Sequence, residues 1–144
     1  MRRPASRFLR SLLALVALAL LVGCGGPGSR TDLRDSTLLA YSGAIRWGHI
    51  DDAITMIDPE YLKAHPISAL DRERFEQVEC TGYLVKGTQM PSENELLRLV
   101  ELRFVNRHTL VERTVQTRER WRWDEANKRW WLTTGLPDIT QASR

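Results

Sequence analysis

The apolar period of the chain changes once, and that change decides its class. Up to about Leu62 the apolar residues recur every three or four positions, as on one side of a helix. From Phe75 they recur every second position, as on one face of a strand. Helices followed by consecutive strands on short connections give an α+β fold with an antiparallel sheet.

In the helical half, Thr31 or Asp32 is expected to cap a helix whose apolar side carries Leu33, Thr37, Ala40, Tyr41, Ala44 and Ile45, with Gly48 ending it. Ile50, Ala53, Ile54 and Ile57 then recur at i, i+3, i+4 and i+7, and Asp51 and Asp52 fall in the first turn, where the helix dipole favours them. Asp58 is expected to cap a further short turn that Pro59 opens and that runs through Leu62. His65-Pro66 closes this half.

In the strand half, Val78, Cys80, Gly82 and Leu84 are expected to share one face of a first strand, and the turn-rich residues 87–94 follow. A second strand covers residues 95–105, a third about 110–123 and a fourth 129–134. With Arg107-His108 as a two-residue loop, Phe104 faces Val111, Leu102 faces Arg113, Val100 faces Val115, Arg98 faces Thr117 and Leu96 faces Glu119. The loop Glu125-Ala126-Asn127-Lys128 pairs Asp124 with Arg129, Trp123 with Trp130 and Trp121 with Leu132. Both registers put their apolar residues on one common face, which argues for a single four-stranded sheet. Its other face carries Glu112, Gln116, Arg118, Arg120 and Arg122 and reads as solvent-facing. There Trp131 lies opposite Arg122, whose guanidinium is expected to cover the indole. Residues 138–144 read as a loose tail.

The N-terminus adds a location. Arg2, Arg3, Arg7 and Arg10, without an acid among them, precede the apolar residues 12–21, a run too short to cross a bilayer, which takes ~20 residues. Leu21-Val22-Gly23-Cys24, followed by Gly25-Gly26-Pro27-Gly28, resembles the lipobox of bacterial lipoprotein precursors. The resemblance implies a signal peptide over residues 1–23 and a diacylglycerol thioether with an acylated amino group on Cys24. Two or more chains anchor a protein stably, at ~0.8 kcal/mol per buried methylene. Gly25 stands where that family's inner-membrane retention signal would place Asp, which implies the periplasmic side of the outer membrane. Residues 24–31 would then be the lipidated cysteine and a flexible linker of ~15 Å span, leaving a single domain over residues 32–137. Without the four signal arginines, 17 Lys plus Arg stand against 18 Asp plus Glu. The basic balance therefore belongs to the precursor and gives no support to nucleic-acid binding. With Cys24 carrying lipid, Cys80 has no intramolecular disulfide partner.

Helices before a meandering sheet also resemble the nuclear-transport-factor-2-like and ketosteroid-isomerase-like cone domains, over about residues 32–137. The resemblance is carried by Ala44-Ile45-Arg46-Trp47-Gly48-His49-Ile50-Asp51-Asp52-Ala53 with Pro59 after it, and by Trp121-Arg122-Trp123-Asp124 with Arg129-Trp130-Trp131-Leu132. It implies a curved, cone-like sheet wrapped on the N-terminal helices, with function set by what lines its open end.

The expected register puts Arg98, Arg113, Thr117 and Glu119 on an otherwise apolar face, with Arg98 diagonal to Glu119. Buried charges are expensive unless paired, so these residues either pair with one another or line a polar pocket. Tyr41, Trp47 and Tyr61 could wall such a pocket; core packing is the ordinary role of such residues. Cone enzymes need a carboxylate base and a proton donor inside the cone, yet Glu101 has the outer parity and no Asp lies on the inner face. His49, His65 and His108 lack metal-ligand spacing, and no cofactor is implied.

The expectation is a non-catalytic, lipid-tethered periplasmic module that binds an envelope protein, a second copy or a small ligand. A small hydrolase or isomerase is the alternative. Arg118, Arg120, Arg122 and Trp131 form the candidate contact surface of the binding module, since Arg and Trp favour binding hot spots, or else a solvated strand face.

Overall fold

A computed structural model describes residues 28–140. The proposed signal peptide, Cys24 and residues 141–144 lie outside the described residues.

Helix α1 spans Arg30–Trp47 and starts earlier than Thr31 or Asp32 would allow, because Ser29 is the cap. The Ser29 hydroxyl accepts from the Asp32 N–H at 3.2 Å, and the Asp32 carboxylate accepts from the Ser29 N–H at 3.0 Å, so two orphan backbone donors are satisfied reciprocally. Gly48 ends the helix as expected, left-handed at φ 74°. Helix α2 is the short Ile50–Ile54, and α3 is Pro59–Ala64, capped by Asp58, whose side chain accepts from the Glu60 N–H at 2.9 Å. The chain between them runs beside the last strand: Leu132 N–H donates to Met56 at 2.9 Å and Asp58 N–H donates to Leu132 at 2.8 Å.

Helix α4, Ala69–Glu76, was not expected. Only Phe75 is buried in it, so it carries no apolar stripe; its signature is a second capping box, Ser68 with Asp71. Phe75 belongs to this helix and not to the strands.

The four strands are β1 Val78–Ser92, β2 Glu95–Asn106, β3 Glu112–Asp124 and β4 Arg129–Leu132, in the order β1-β2-β3-β4 with antiparallel neighbours. Helices thus pack against one face of an open four-stranded antiparallel sheet.

Strand β1 corrects the sequence reading twice. It continues through residues 87–92, where Gly87 pairs with Leu99, Gln89 with Leu97 and Ser92 with Glu95, leaving only Glu93-Asn94 as the turn. Its register also slips between Cys80 and Gly82, between Val85 and Gly87, and between Gln89 and Ser92. An extra residue on one strand sends the following side chains to the other face. Cys80 therefore pairs with inward-facing Phe104, whereas Leu84 pairs with Glu101 and is half exposed. Tyr83 takes the inner place opposite Leu102. These breaks, with Lys86 and Pro91, also spoil β1 as an edge for pairing with another chain.

The β2–β3 connection is longer than two residues. The Asn106 side-chain oxygen accepts from the N–H groups of His108 and Thr109 at 3.0 and 2.9 Å, and Leu110 N–H closes on the Asn106 carbonyl at 2.8 Å. Strand β3 consequently sits two residues further along than expected: Phe104 faces Arg113, Leu102 faces Val115, Val100 faces Thr117, Arg98 faces Glu119 and Leu96 faces Trp121. A slip of two changes every partner but keeps every side chain on its face. The β3–β4 register is the expected one, with Trp121 opposite Leu132, Arg122 opposite Trp131, Trp123 opposite Trp130 and Asp124 opposite Arg129.

The core lies between α1, α2 and the inner sheet face. Tyr41, Ile45, Ile57, Leu96, Val100, Leu102, Trp121, Trp130 and Leu132 are its most enclosed side chains. Trp121 meets Tyr41 edge-on at 5.1 Å between ring centroids, a favoured aromatic geometry. Leu136 and Ile139 pack against this core, so the chain is still part of the domain at residue 139.

At Gly135 the backbone has φ 74°, and an added Cβ would lie 2.7 Å from Tyr61 Cε1. Gly135→Ala is expected to cost at least the ~1–2 kcal/mol of a left-handed residue with a side chain, plus displacement of Tyr61. A lowered midpoint in urea unfolding checks this.

Candidate functional site

The corrected register places Arg98 directly opposite Glu119 on the inner face, and both are buried, with 7% and 3% of their surface exposed. A guanidinium nitrogen of Arg98 lies 3.7 Å from Glu119 Oε2. The same oxygen accepts from Trp121 Nε1 at 3.1 Å, because residues two apart on a strand share a face. The other carboxylate oxygen accepts from the Tyr83 hydroxyl, and the Arg98 guanidinium also lies 5.6 Å from the Tyr83 ring centroid. Tyr83 was not singled out in the sequence because only the bulge after Cys80 turns it inward; Gly82 within a strand is the one local sign of that bulge.

Burial pushes the Glu119 carboxyl above its ordinary range, against the lowering effects of Tyr83, Arg98 and Trp121. Burial likewise drives the Tyr83 and Tyr41 hydroxyls upward, and the nearby Glu119 charge adds to both. Both carboxylate oxygens are occupied by donors from the protein itself. The cluster is an internal ion pair with its own hydrogen-bond donors.

The other residues expected beside this pair are elsewhere. Arg113 is exposed, opposite Phe104 near the start of β3, and Thr117 is half-buried opposite Val100. Tyr61 stacks on His65 at 4.4 Å, beside Gly135. Trp47 is 75% exposed at the end of α1. Only Tyr41 joins the buried cluster, against Trp121, so no single cavity gathers the expected set. Cys80 is partly buried, and burial raises its thiol pKa, the wrong direction for a nucleophile.

The outer face is also rearranged. Arg122 does not cover Trp131; its guanidinium donates to Asp58 at 2.6 Å. Burial alone would raise the Asp58 carboxyl, but the bonds from Arg122 and from the Glu60 amide outweigh it and hold the carboxyl low. Trp131 is covered instead by Arg129, 3.8 Å from the ring centroid and two residues back on the same face, and its Nε1 donates to Asp124 at 3.0 Å. Glu101 is flanked by Lys86 at 3.4 Å and Arg103 at 3.6 Å.

Arg118 and Arg120 differ from these. Both are exposed, and among the described residues neither guanidinium forms an ion pair or hydrogen bond. They lie opposite Leu99 and Leu97, beside Gly87 and Gln89 of β1, along a depression of about 920 Å³. Thr133 bounds it on the other side, its N–H and hydroxyl donating to the Arg120 carbonyl at 2.8 and 3.1 Å. A second opening, of about 410 Å³, lies where Arg113 faces α4 and Ile139.

No protein family and no curated protein matches the chain. Among solved structures, the solution structure of a SEC-C motif containing protein from Rhodopseudomonas palustris is similar to it, with a TM-score of 0.53 and 18% identity over 67% of this chain and 72% of that one. This likeness corrects the resemblance to nuclear-transport-factor-2-like and ketosteroid-isomerase-like domains, because the matched structure is that of a SEC-C motif protein, and it gives no support to the lipobox. At such identity the likeness concerns the fold: helices on an open four-stranded antiparallel sheet.

Proposed function

We propose that this protein is a non-catalytic binding module of the cell envelope, tethered by lipid on Cys24, whose outer sheet face docks an acidic envelope protein. The observation that carries this is the pair Arg118 and Arg120. Asp58, Glu101 and Asp124 on or beside that face are already engaged by Arg122, Lys86, Arg103 and Trp131, whereas these two guanidiniums have no internal counter-charge among the described residues. Exposed arginines next to Leu97 and Leu99 combine charge with apolar contact, as binding hot spots do. A second copy docked face to face would set arginine against arginine, so the partner is a different, acidic chain. In this reading the bulges of β1 curl the sheet into a cone-like shape whose convex side is the docking face.

The test is a photo-crosslinking residue at Leu99 in cells carrying the full chain. The expected result is one discrete adduct with an acidic segment of another envelope protein, abolished by Arg118→Glu with Arg120→Glu while the thermal midpoint stays within a few degrees. Cys24→Ala should shift the protein from the membrane to the soluble fraction or leave it unprocessed. A self-adduct, or an adduct indifferent to the charge reversal, would overturn the docking face; a wild type that fractionates as soluble would overturn the tether.

A further inference from the structure

The opening of about 410 Å³ at the other end of the sheet falls in the ~300–1,000 Å³ range of small-ligand pockets. Its floor is apolar: Phe104, only 4% exposed, with Val78 and Ile139. Its polar lining has one sign. Arg74 and Arg113 contribute guanidiniums, Gln77, Asn106 and Thr109 are neutral, and no Asp or Glu lines it. The Arg113 guanidinium has no ion pair or hydrogen bond among the described residues, and Arg74 gives one nitrogen to Asp71 at 3.4 Å, leaving donors to spare.

The walls are held by the fold itself. The Asn106 side chain pins the loop after β2 through the His108 and Thr109 amides, and Arg107 N–H donates to the Gln77 carbonyl at 2.9 Å, tying that loop to the end of α4. An apolar floor under a guanidinium with a free planar fork suits a carboxylate on an apolar body: the fork takes both carboxylate oxygens and the body covers Phe104.

We propose that this pocket binds small organic carboxylates, with Arg113 as the anion anchor and Phe104, Val78 and Ile139 as the floor under the ligand's apolar part. The site is separate from the docking face around Arg118 and Arg120 and does not rest on the membrane tether. The binding is reversible and involves no covalent step.

The test uses fluorine NMR of 4-(trifluoromethyl)benzoate with the purified full chain, against a protein-free blank. The expected result is line broadening above the blank, weakened about tenfold or more in Arg113→Ala, partly restored in Arg113→Lys and unchanged in Arg118→Ala. The uncharged 4-(trifluoromethyl)benzyl alcohol should bind about tenfold less tightly or worse. Arg113 is exposed, so its variants are expected to keep the wild-type thermal midpoint, which the same samples report. No broadening above the blank, equal binding by Arg113→Ala, or equal binding of the alcohol would each overturn the proposal. Loss of the docking adduct at Leu99 would leave this result untouched, so the two readings fail separately.

Discussion

Glu119→Ala is expected to lower the free energy of unfolding by about 3–5 kcal/mol, the cost of leaving a buried charge without its partner. Arg98 would remain enclosed at 7% exposure, and the Tyr83 hydroxyl and Trp121 Nε1 would lose the acceptor they share. Urea unfolding at neutral pH measures the loss; a cost below about 1 kcal/mol would mean that water reaches Arg98 and that the pair is effectively a surface one.

Glu119→Gln separates the charge from the shape. Because burial raises the folded-state pKa of Glu119, the folded chain holds a proton there that the unfolded chain has released, between the ordinary carboxylate range and the raised value. In that window the wild type loses stability as pH rises, a slope that Glu119→Gln cannot have. Asp58 works in the opposite sense: its lowered pKa contributes stability above the ordinary carboxylate range that is lost as pH falls through the folded value. The difference between wild type and Glu119→Gln across pH cancels Asp58 and isolates Glu119. Parallel curves would show that the three donors fully offset burial.

What the sequence made legible follows from how local each signal is. The β3–β4 register could be read because a four-residue loop and alternating tryptophans within twelve residues fix it. The inner-face set of β2 and β3 survived a wrong loop length because a slip of two leaves parity intact. The loop itself was hidden: Leu110 sits at φ 56°, a conformation that a branched apolar side chain rarely adopts and that its identity does not announce. The bulges of β1 were hidden for the same kind of reason, since one inserted residue on an edge strand leaves alternation intact on either side of it. With the bulge went Tyr83, and with Tyr83 the full composition of the buried cluster. The partner of Arg122 lay beyond strand reasoning altogether, because Asp58 comes 64 residues earlier in the chain. The cone resemblance failed at the family level because its motifs recorded an order of elements, helices before a meander, and such an order does not single out one family.

Trp121→Ala is expected to cost about 3–5 kcal/mol, as for large aromatic truncations in a closed core. Trp121 has no exposed surface, it supplies the ring that Tyr41 packs against at 5.1 Å, and its Nε1 holds Glu119 Oε2. Trp131, opposite the neighbouring Arg122 but on the outer face, carries the same side chain in a different setting: Arg129 and Asp124 hold it at the surface. Its truncation to Ala should cost well under half as much, since surface cation–π contacts contribute about 0.5–1 kcal/mol. Thermal and urea unfolding of the two variants side by side test the assignment of faces, and equal costs would refute it. The Trp121 and Glu119 effects should not add. Because the two groups share a hydrogen bond, Trp121→Phe combined with Glu119→Gln should show a coupling of about 0.5–3 kcal/mol, whereas Trp131→Phe with Glu119→Gln should show almost none. A coupling present in the first pair and missing from the second would place the Glu119 network inside the tryptophan core, so that the charge pair and the aromatic packing form one structural unit on the inner face while the arginine face stays free to change without it.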